Sequence, residues 1–600
     1  MNSPYSSSLA APSPITLELI KGALGAARSE METLIGRTAM SPFIREKKDY
    51  FTAFLDAAGR LVVSTALTLA GNLVDAILEQ YPADTMRDGD LYWYNDVYGS
   101  RGGVTQTNDT VFVMPVFAQG RLIAFVEAWG HLWDVGGTYP GSVSPNVTSM
   151  FHEGIMIPPV RVMRDGVVND EVVRIYARNS RFPEMMRGDL SAIMAAVRLG
   201  KARLEEIVAR FGAATVTAAF ETTLQQTAAA LDARVQASVP DGVWTFRDWI
   251  DSDAITDTPY WVEARLESRK GRLSFDFSGS ADQATGSINY VMDDTVVGHM
   301  LGLYFLRDDP AIGMNAGFNR CIDAVAKRPG SVVWPHFPAP VGLRSHTMIR
   351  VTSSMLGTLA QATGGKASAA SAVYVLYYLR SRDSRTGKQT LGVEGLSVGF
   401  GARPTADGID AVYYVAQENY PIEFVEMELG IRIESFGVHL DSGGAGRWRG
   451  GCGIVRDVRI LQDDAMLGVR MDNCRYPAFG VNGGKCGAAG AFIVNPGTPG
   501  ERLLKTMSDG HTLKRGDLLR VITPGGGGWG SPFERPAEDV LADVLDGFVS
   551  LESAASEYGV ALTEYGRSID RDGTARLRAR SSAPDKMFHR GAYFDACEKL

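Results

Sequence analysis

The chain is short of several things, and each shortage closes off a class of protein. Only five of its 600 residues are cysteine (Cys321, Cys452, Cys474, Cys486 and Cys597), an odd and widely spaced set with no CxxC pair. That excludes a disulfide framework and fits a reducing compartment, so the five read as small packing residues. No apolar run approaches the roughly 20 residues that a spanning helix needs. The start, MNSPYSSSLAAPSP, has no basic segment followed by an apolar one, so no signal peptide is expected and the location expected is cytoplasmic. Cationic charge is in deficit: 60 Lys and Arg against 69 Asp and Glu give a net charge of −9. That composition is not a nucleic-acid binder's. Neither glycine-rich run matches GxxxxGK[ST], so no nucleotide site is expected in this chain. There is no GxSxG elbow, and no solenoid or propeller repeat is visible.

What is present is an ordinary apolar content (45%) and 66 glycines, which is the composition of a large folded chain with several cores. Residues 1–14 are Ser/Pro/Ala-rich and are expected to be loose. After Pro14, Leu17, Ile20, Leu24, Ala27 and Met31 recur at helical spacing. Phe51–Leu55 and Leu61–Val63 read as a hairpin around Asp56–Arg60, and Val111–Phe117 with Leu122–Ala128 as a second hairpin turning at Gln119-Gly120. Two helices follow, one through Leu190–Phe211 and one through Phe220 and Leu224. From about Val243 strand-like runs dominate: Tyr260–Leu266, Leu273–Phe277, Met348–Val351, Ile431–Phe436 and Ile454–Ile460. The fold expected is therefore mixed α/β (α+β). Residues 15–240 form an α/β region, 241–535 a β-rich, glycine-dense region, and 536–600 a helix (Val540 to Phe548) and an Arg-rich tail. The glycine runs Asp441–Gly451 and Pro524–Gly530 must be loops where backbone passes close to something. They read either as tight turns or as amide-lined anion sites.

Histidine is sparse, with eight in the chain, so its pairing with carboxylates is informative. A simple hairpin centred on Gln119-Gly120 pairs Asp109 with Gly130 and Asn108 with His131. The polar ends of the two strands are then neighbours, and Asp109, His131 and Asp134 can converge. His152 and Glu153 follow some twenty residues later. Two imidazoles with one or two carboxylates suit Mn²⁺, Fe²⁺ or Zn²⁺. Equally, a His and an Asp at hairpin ends serve as hydrogen-bonded structure. Trp93, Trp129 and Trp133 surround these motifs, either as plain core or as the wall of an apolar pocket. Asn95-Asp96 reads as an Asx-type turn.

At these residues the chain resembles the hydantoinase B/oxoprolinase-type subunits, a family that includes the acetone carboxylase α subunit and its acetophenone carboxylase relatives. The resemblance runs over roughly residues 15 to 535. It is carried by Arg37–Pro42, Asn95-Asp96, His131-Leu132-Trp133-Asp134-Val135-Gly136-Gly137, Glu153-Gly154 with Ile157-Pro158-Pro159, Arg187-Gly188-Asp189, Asp276–Ser280 and the two glycine loops. The resemblance implies an enzyme complex. A hydantoinase A-type partner binds ATP, with or without a small third subunit, and this chain handles the activated small-molecule substrate. In the carboxylase branch an HxxD motif and a later His hold a divalent metal. His131 and Asp134 match the motif and His152 the later His, with Asp109 as fourth ligand or neighbour and Glu153, beside His152, as candidate general base. His152 tilts the reading toward ATP-dependent ketone carboxylation; ATP-dependent opening of a hydantoin, lactam or 5-oxoproline is the alternative. The chain departs from the family string NDPxxGGTH at Val97 and at Gln106, where the usual His falls, and from the HH pair at Leu132.

Overall fold

The structure, a computed structural model, describes residues 11–65, 71–306, 308–309, 311–373, 375–382, 387, 389–413, 417–563, 565–579 and 586–597. Most of the segment expected to be loose, residues 1–10, lies outside the described residues. The first element is the helix α1, Pro14–Thr38, capped by the Ser13 hydroxyl, and its buried stripe is Leu17, Ile20, Leu24, Ala27, Met31 and Ile35.

That stripe packs on an antiparallel sheet. Its strands are β1 (Tyr50–Asp56), β2 (Leu61–Ser64), β3 (Leu91–Tyr94), β4 (Asp109–Ala118), β5 (Arg121–His131), β6 (Val160–Arg164) and β7 (Val167–Val168), in spatial order β2-β1-β5-β4-β3-β6-β7. Side-chain alternation divides β5 between two cores. Ala124, Val126 and Ala128 face α1 and the helix Pro183–Phe211. Phe125 and Trp129 face a second cluster with Phe51, Leu73 and Tyr94.

The β4–β5 hairpin turns where expected, with Gln119 and Gly120 both at positive φ. Its register differs by one from the simple count. A bulge between Val116 and Phe117 leaves Ile123 unpaired, because Val116 faces Ala124 while Phe117 faces Leu122. Beyond the bulge Asp109 sits directly opposite His131. Tyr50 opposite Gly130 brings β1 alongside, and the ladder continues with the His131 amide donating to the Asp49 carbonyl at 3.0 Å. Three chain segments therefore end together at one corner of the sheet.

The second half is β-rich, as its composition implied. One four-stranded sheet has the order Ile322–Ala326, Arg272–Asp276, Tyr260–Arg269, Gly242–Ile250. A second has the order Gln389–Leu396, Val375–Arg382, Ala465–Arg470, Met507–Leu513. A five-stranded sheet is built around Ile454–Ile460 and Leu518–Ile522. One expected strand is corrected: Met348–Val351 lies inside the helix Ser345–Ala362, which is buried along nearly its whole length. A four-residue apolar run carries no period, and a fully buried helix reads the same as a strand at that length. This helix packs on the first of the four-stranded sheets and delivers Arg344, its N-cap residue, toward the corner where β4 and β5 end. Among the described residues no helix is long and apolar enough to cross a membrane.

The two glycine runs pack into each other. Gly444 N–H donates to the Gly526 carbonyl, Gly526 to Gly451, Gly527 to Ala370 and Gly528 to Lys485, each at 2.8–2.9 Å. These amides are spent on backbone carbonyls, so the reading of this region as tight packing holds at those positions. A Cβ at Gly525 would stand 1.8 Å from the Ser442 carbonyl oxygen, while one at Gly313 meets nothing within 4 Å. Gly525→Ala is therefore expected to cost about 1–3 kcal/mol or more, read as a lowered melting temperature. Gly313→Ala is the control and should melt as the parent does.

Candidate functional site

At the corner described above lies a cavity of about 80 Å³. Phe43, Trp129, Trp133, Met348 and Tyr378 make its apolar wall, and Asp49, Gln106, Asp109, His131 and Arg344 its polar one. Of the three tryptophans, Trp129 and Trp133 line it, whereas Trp93 is fully buried in the core against Phe112 and Tyr176. Phe43 lies under the His131 ring, centroids 4.5 Å apart.

His131 Nδ1 is 3.2 Å from Asp109 Oδ1 and 3.9 Å from Asp49 Oδ2. Gln106 Nε2 stands between the first two, 2.7 Å from His131 Nδ1 and 2.9 Å from Asp109 Oδ1. With its two protons the Gln106 amide donates to both, so a neutral His131 carries its own proton on Nε2. A protonated ring donates from Nδ1 to Asp109 instead. Asp109 Oδ2 accepts from the Thr105 hydroxyl at 3.3 Å and lies 3.7 Å from Arg344 Nη2, while Arg344 Nε donates to the Thr105 Oγ1 at 2.9 Å.

The two carboxyls are driven apart. Burial pushes both up. For Asp109 this is outweighed by the hydrogen bond and charge of His131, by Arg344 and by the Gln106 amide, which together hold it below the usual carboxylate range. Asp49 stays raised, because burial and the neighbouring Asp109 charge exceed the help from His131. A neighbouring pair split in this way gives one carboxyl that takes up a proton readily and one that is held ionised.

The residues singled out from the sequence fall into three places. Asp109 and His131 share the cavity. Asp134 is in a closed socket beside it. Its carboxylate, with a side chain 0% exposed, accepts from the backbone N–H of Gly136, Gly141 and Arg181, from the Ser180 hydroxyl and from Arg181 Nη1 at 2.9 Å. The same guanidinium donates to the carbonyls of Gly136 and Gly137. Asp134 thus already has its counter-cation. His152 ends a 3-10 turn, half-buried, with its Nδ1 3.4 Å from the Thr148 amide, and is not among the cavity's lining residues. As a set, His131, Asp134, His152 and Asp109 do not present free donors to one ion. Among the described residues no three His, Cys, Asp or Glu side chains form a group that could hold a metal. The donor set therefore does not fit the divalent ion that the resemblance implied.

Glu153 also lies off the cavity lining. Its Oε1 accepts from the Val341 and Gly342 amides at 2.9 and 2.7 Å, which ties its turn to the segment leading into Arg344. Burial pushes its carboxyl up to about 8. The folded chain then holds this proton more tightly than the unfolded one. Stability from this group is full below the ordinary carboxylate range and falls as pH rises toward about 8, by at most about 1.4 kcal/mol per pH unit. Glu153→Gln keeps the accepting oxygen and loses the proton. It is expected to flatten part of that slope in urea melts between pH 5.5 and 8.5 and to leave turnover intact.

Sequence reasoning missed Asp49 and Arg344. Asp49 is adjacent to the first hairpin, and pairing that hairpin's first strand with β5 would have found it. Arg344 had no signal, since the run just after it read as a strand.

The fold and the cavity are those of an enzyme subunit with a buried acid–imidazole pair. The chain belongs to the hydantoinase B/oxoprolinase family, whose profile matches residues 13–532. It is 30% identical over 591 residues to a Pseudomonas protein described as the B component of a D-/L-hydantoinase, covering 94% of this chain and 98% of that one. The ATP-dependent caprolactamase of Pseudomonas jessenii superposes with a TM-score of 0.83 at 26% identity, over 95% of this chain and 100% of the other. The acetophenone carboxylase delta subunit of Aromatoleum aromaticum is 26% identical over 581 residues, covering 88% of this chain and 82% of its own length. The hydantoinase, caprolactamase and acetophenone carboxylase relatives are each named as subunits.

Proposed function

We propose that this chain is the hydrolytic subunit of an ATP-dependent enzyme that opens a cyclic amide. A hydantoinase A-type partner binds the ATP and activates the amide. The observation that carries the reading is the cavity in which Asp49 and Asp109, driven to opposite sides of the usual range, flank His131 under Arg344.

Asp49 takes a proton from water as its oxygen bonds to the amide carbon. Negative charge developing on the amide oxygen is met by the Arg344 guanidinium. As the ring C–N bond breaks, the doubly protonated His131 gives its Nε2 proton to the leaving nitrogen and is left neutral, and the proton taken up by Asp49 returns to the ring before the next turnover. Asp109, held ionised, steadies the imidazole and neutralises it when protonated. Phe43, Trp129 and Trp133 keep bulk water from the activated amide. No step is assigned to a metal.

Ketone carboxylation is the second reading. The aromatic wall suits an aryl or alkyl ketone, and the acetophenone carboxylase delta subunit is among the relatives. It leaned on His152, however, which is not among the cavity's lining residues, and the hydantoinase and caprolactamase relatives align over nearly their whole length. The test is product analysis on this chain purified with its partner. Hydantoin, 5-oxoproline and ε-caprolactam are offered with ATP, and acetophenone with ATP and ¹³C-bicarbonate. Ring-opened product from a cyclic amide is expected; a ¹³C-carboxylated ketone without ring opening would overturn the proposal.

A further inference from the structure

A second, larger cavity of about 330 Å³ lies on the other side of Leu73 from the first. Leu73 lines both, and between them Phe51 stacks on Trp129, centroids 6.2 Å apart. Strand alternation explains the pairing: Glu127, Trp129 and His131 project from the same face of β5, so Glu127 enters the second cavity as His131 enters the first. The remaining wall is apolar at Leu55, Leu61 and Leu224 and polar at Asn72, Thr295, His299 and Asn319.

Glu127 is 1% exposed, and its Oε2 has no hydrogen-bond partner. A buried polar atom left in that state is costly, and a ligand that satisfies it recovers the cost. Two arginines also reach this cavity, but both are already paired: Arg60 with Asp56 and Glu221, and Arg320 with Glu221. Those carboxylates offset the charge that the two guanidiniums would offer an anionic ligand.

We propose that this cavity is a separate binding site for a small cyclic amide, with the Glu127 carboxyl pairing to the amide through two parallel hydrogen bonds. The ring forces the amide cis, so its N–H and C=O point the same way. An undissociated carboxylic acid presents the complementary pair, an O–H donor and a C=O acceptor. Burial alone pushes Glu127 up to about 8, which keeps it in that form at neutral pH. A ketone satisfies only the O–H. A protonated amine needs the carboxylate, which burial disfavours, and it would share the cavity with Arg60 and Arg320. The site stands apart from the hydrolytic one and does not depend on the reaction proposed there.

The test is calorimetric titration of the full-length chain with ε-caprolactam, cyclohexanone and cyclohexylamine. Caprolactam should bind the most tightly of the three. Glu127→Gln, whose amide also offers a donor and an acceptor, should retain binding; Glu127→Leu should weaken it by about tenfold or more. Ala316→Phe fills the cavity with Glu127 left in the sequence and should remove the binding that Glu127 supplies, which keeps the test open if Glu127→Leu fails to fold. Equal losses in Glu127→Gln and Glu127→Leu, or tighter binding of cyclohexylamine, would each overturn the proposal.

Discussion

Asp109→Asn, tested in the complex with the ATP-binding partner, is expected to lower amide-dependent turnover by about 10²–10⁴-fold, the range over which a positioned acid–base group acts. Asparagine fills the same space, so the hairpin register and the melting temperature should survive. It cannot carry the charge that stands 3.2 Å from His131 Nδ1 and 3.7 Å from Arg344. Gln106 then donates to an amide instead of a carboxylate, and a protonated His131 loses its counter-ion. The loss should fall on kcat, because Asp109 acts through His131 and Arg344 and is not assigned a contact with the substrate. Full turnover in a folded Asp109→Asn complex would remove His131 from the chemistry.

Asp134→Ala is expected to act on the fold. Its carboxylate closes the Gly136–Gly137 turn from within, taking three backbone amides, a hydroxyl and the Arg181 guanidinium. Alanine leaves those donors unpaired in a buried socket and Arg181 without its charge partner, at a cost of about 3–5 kcal/mol. Chemical denaturation should show the loss directly, with poor recovery of soluble chain as the extreme outcome. An Asp134→Ala chain of parental stability but without turnover would instead place Asp134 in the reaction.

The contrast between Asp109 and Asp134 marks how far the sequence was legible. Helices with a long apolar period, such as α1, and hairpins with a clear turn, such as the one at Gln119-Gly120, are written in local spacing. The pairing of Asp109 with His131 followed from the same spacing, displaced by one residue because a bulge leaves no mark in a run of β-branched and aromatic residues. What the spacing cannot carry is which partners arrive from elsewhere in the chain. Arg181, 47 residues after Asp134, turns an apparent metal ligand into half of an ion pair. Arg344, well over 200 residues beyond Gln106, completes the cavity from a helix that read as a strand. The motif stretches have structural reasons of the same kind. Asp189 of Arg187-Gly188-Asp189 accepts from the Met40 and Ser41 amides, so two conspicuous sequence stretches are one contact.

On the proposed function, the reaction belongs to the cavity at the end of β5 and not to the set His131, Asp134 and His152. The most direct measurement is turnover of the His131→Ala and His152→Ala complexes in one assay, with ATP and whichever cyclic amide the wild type opens. His131→Ala is expected to fall by about 10²-fold or more, while His152→Ala, whose ring is not among the cavity's lining residues, is expected to stay close to wild type. Parallel losses in both variants, with both chains folded, would contradict it.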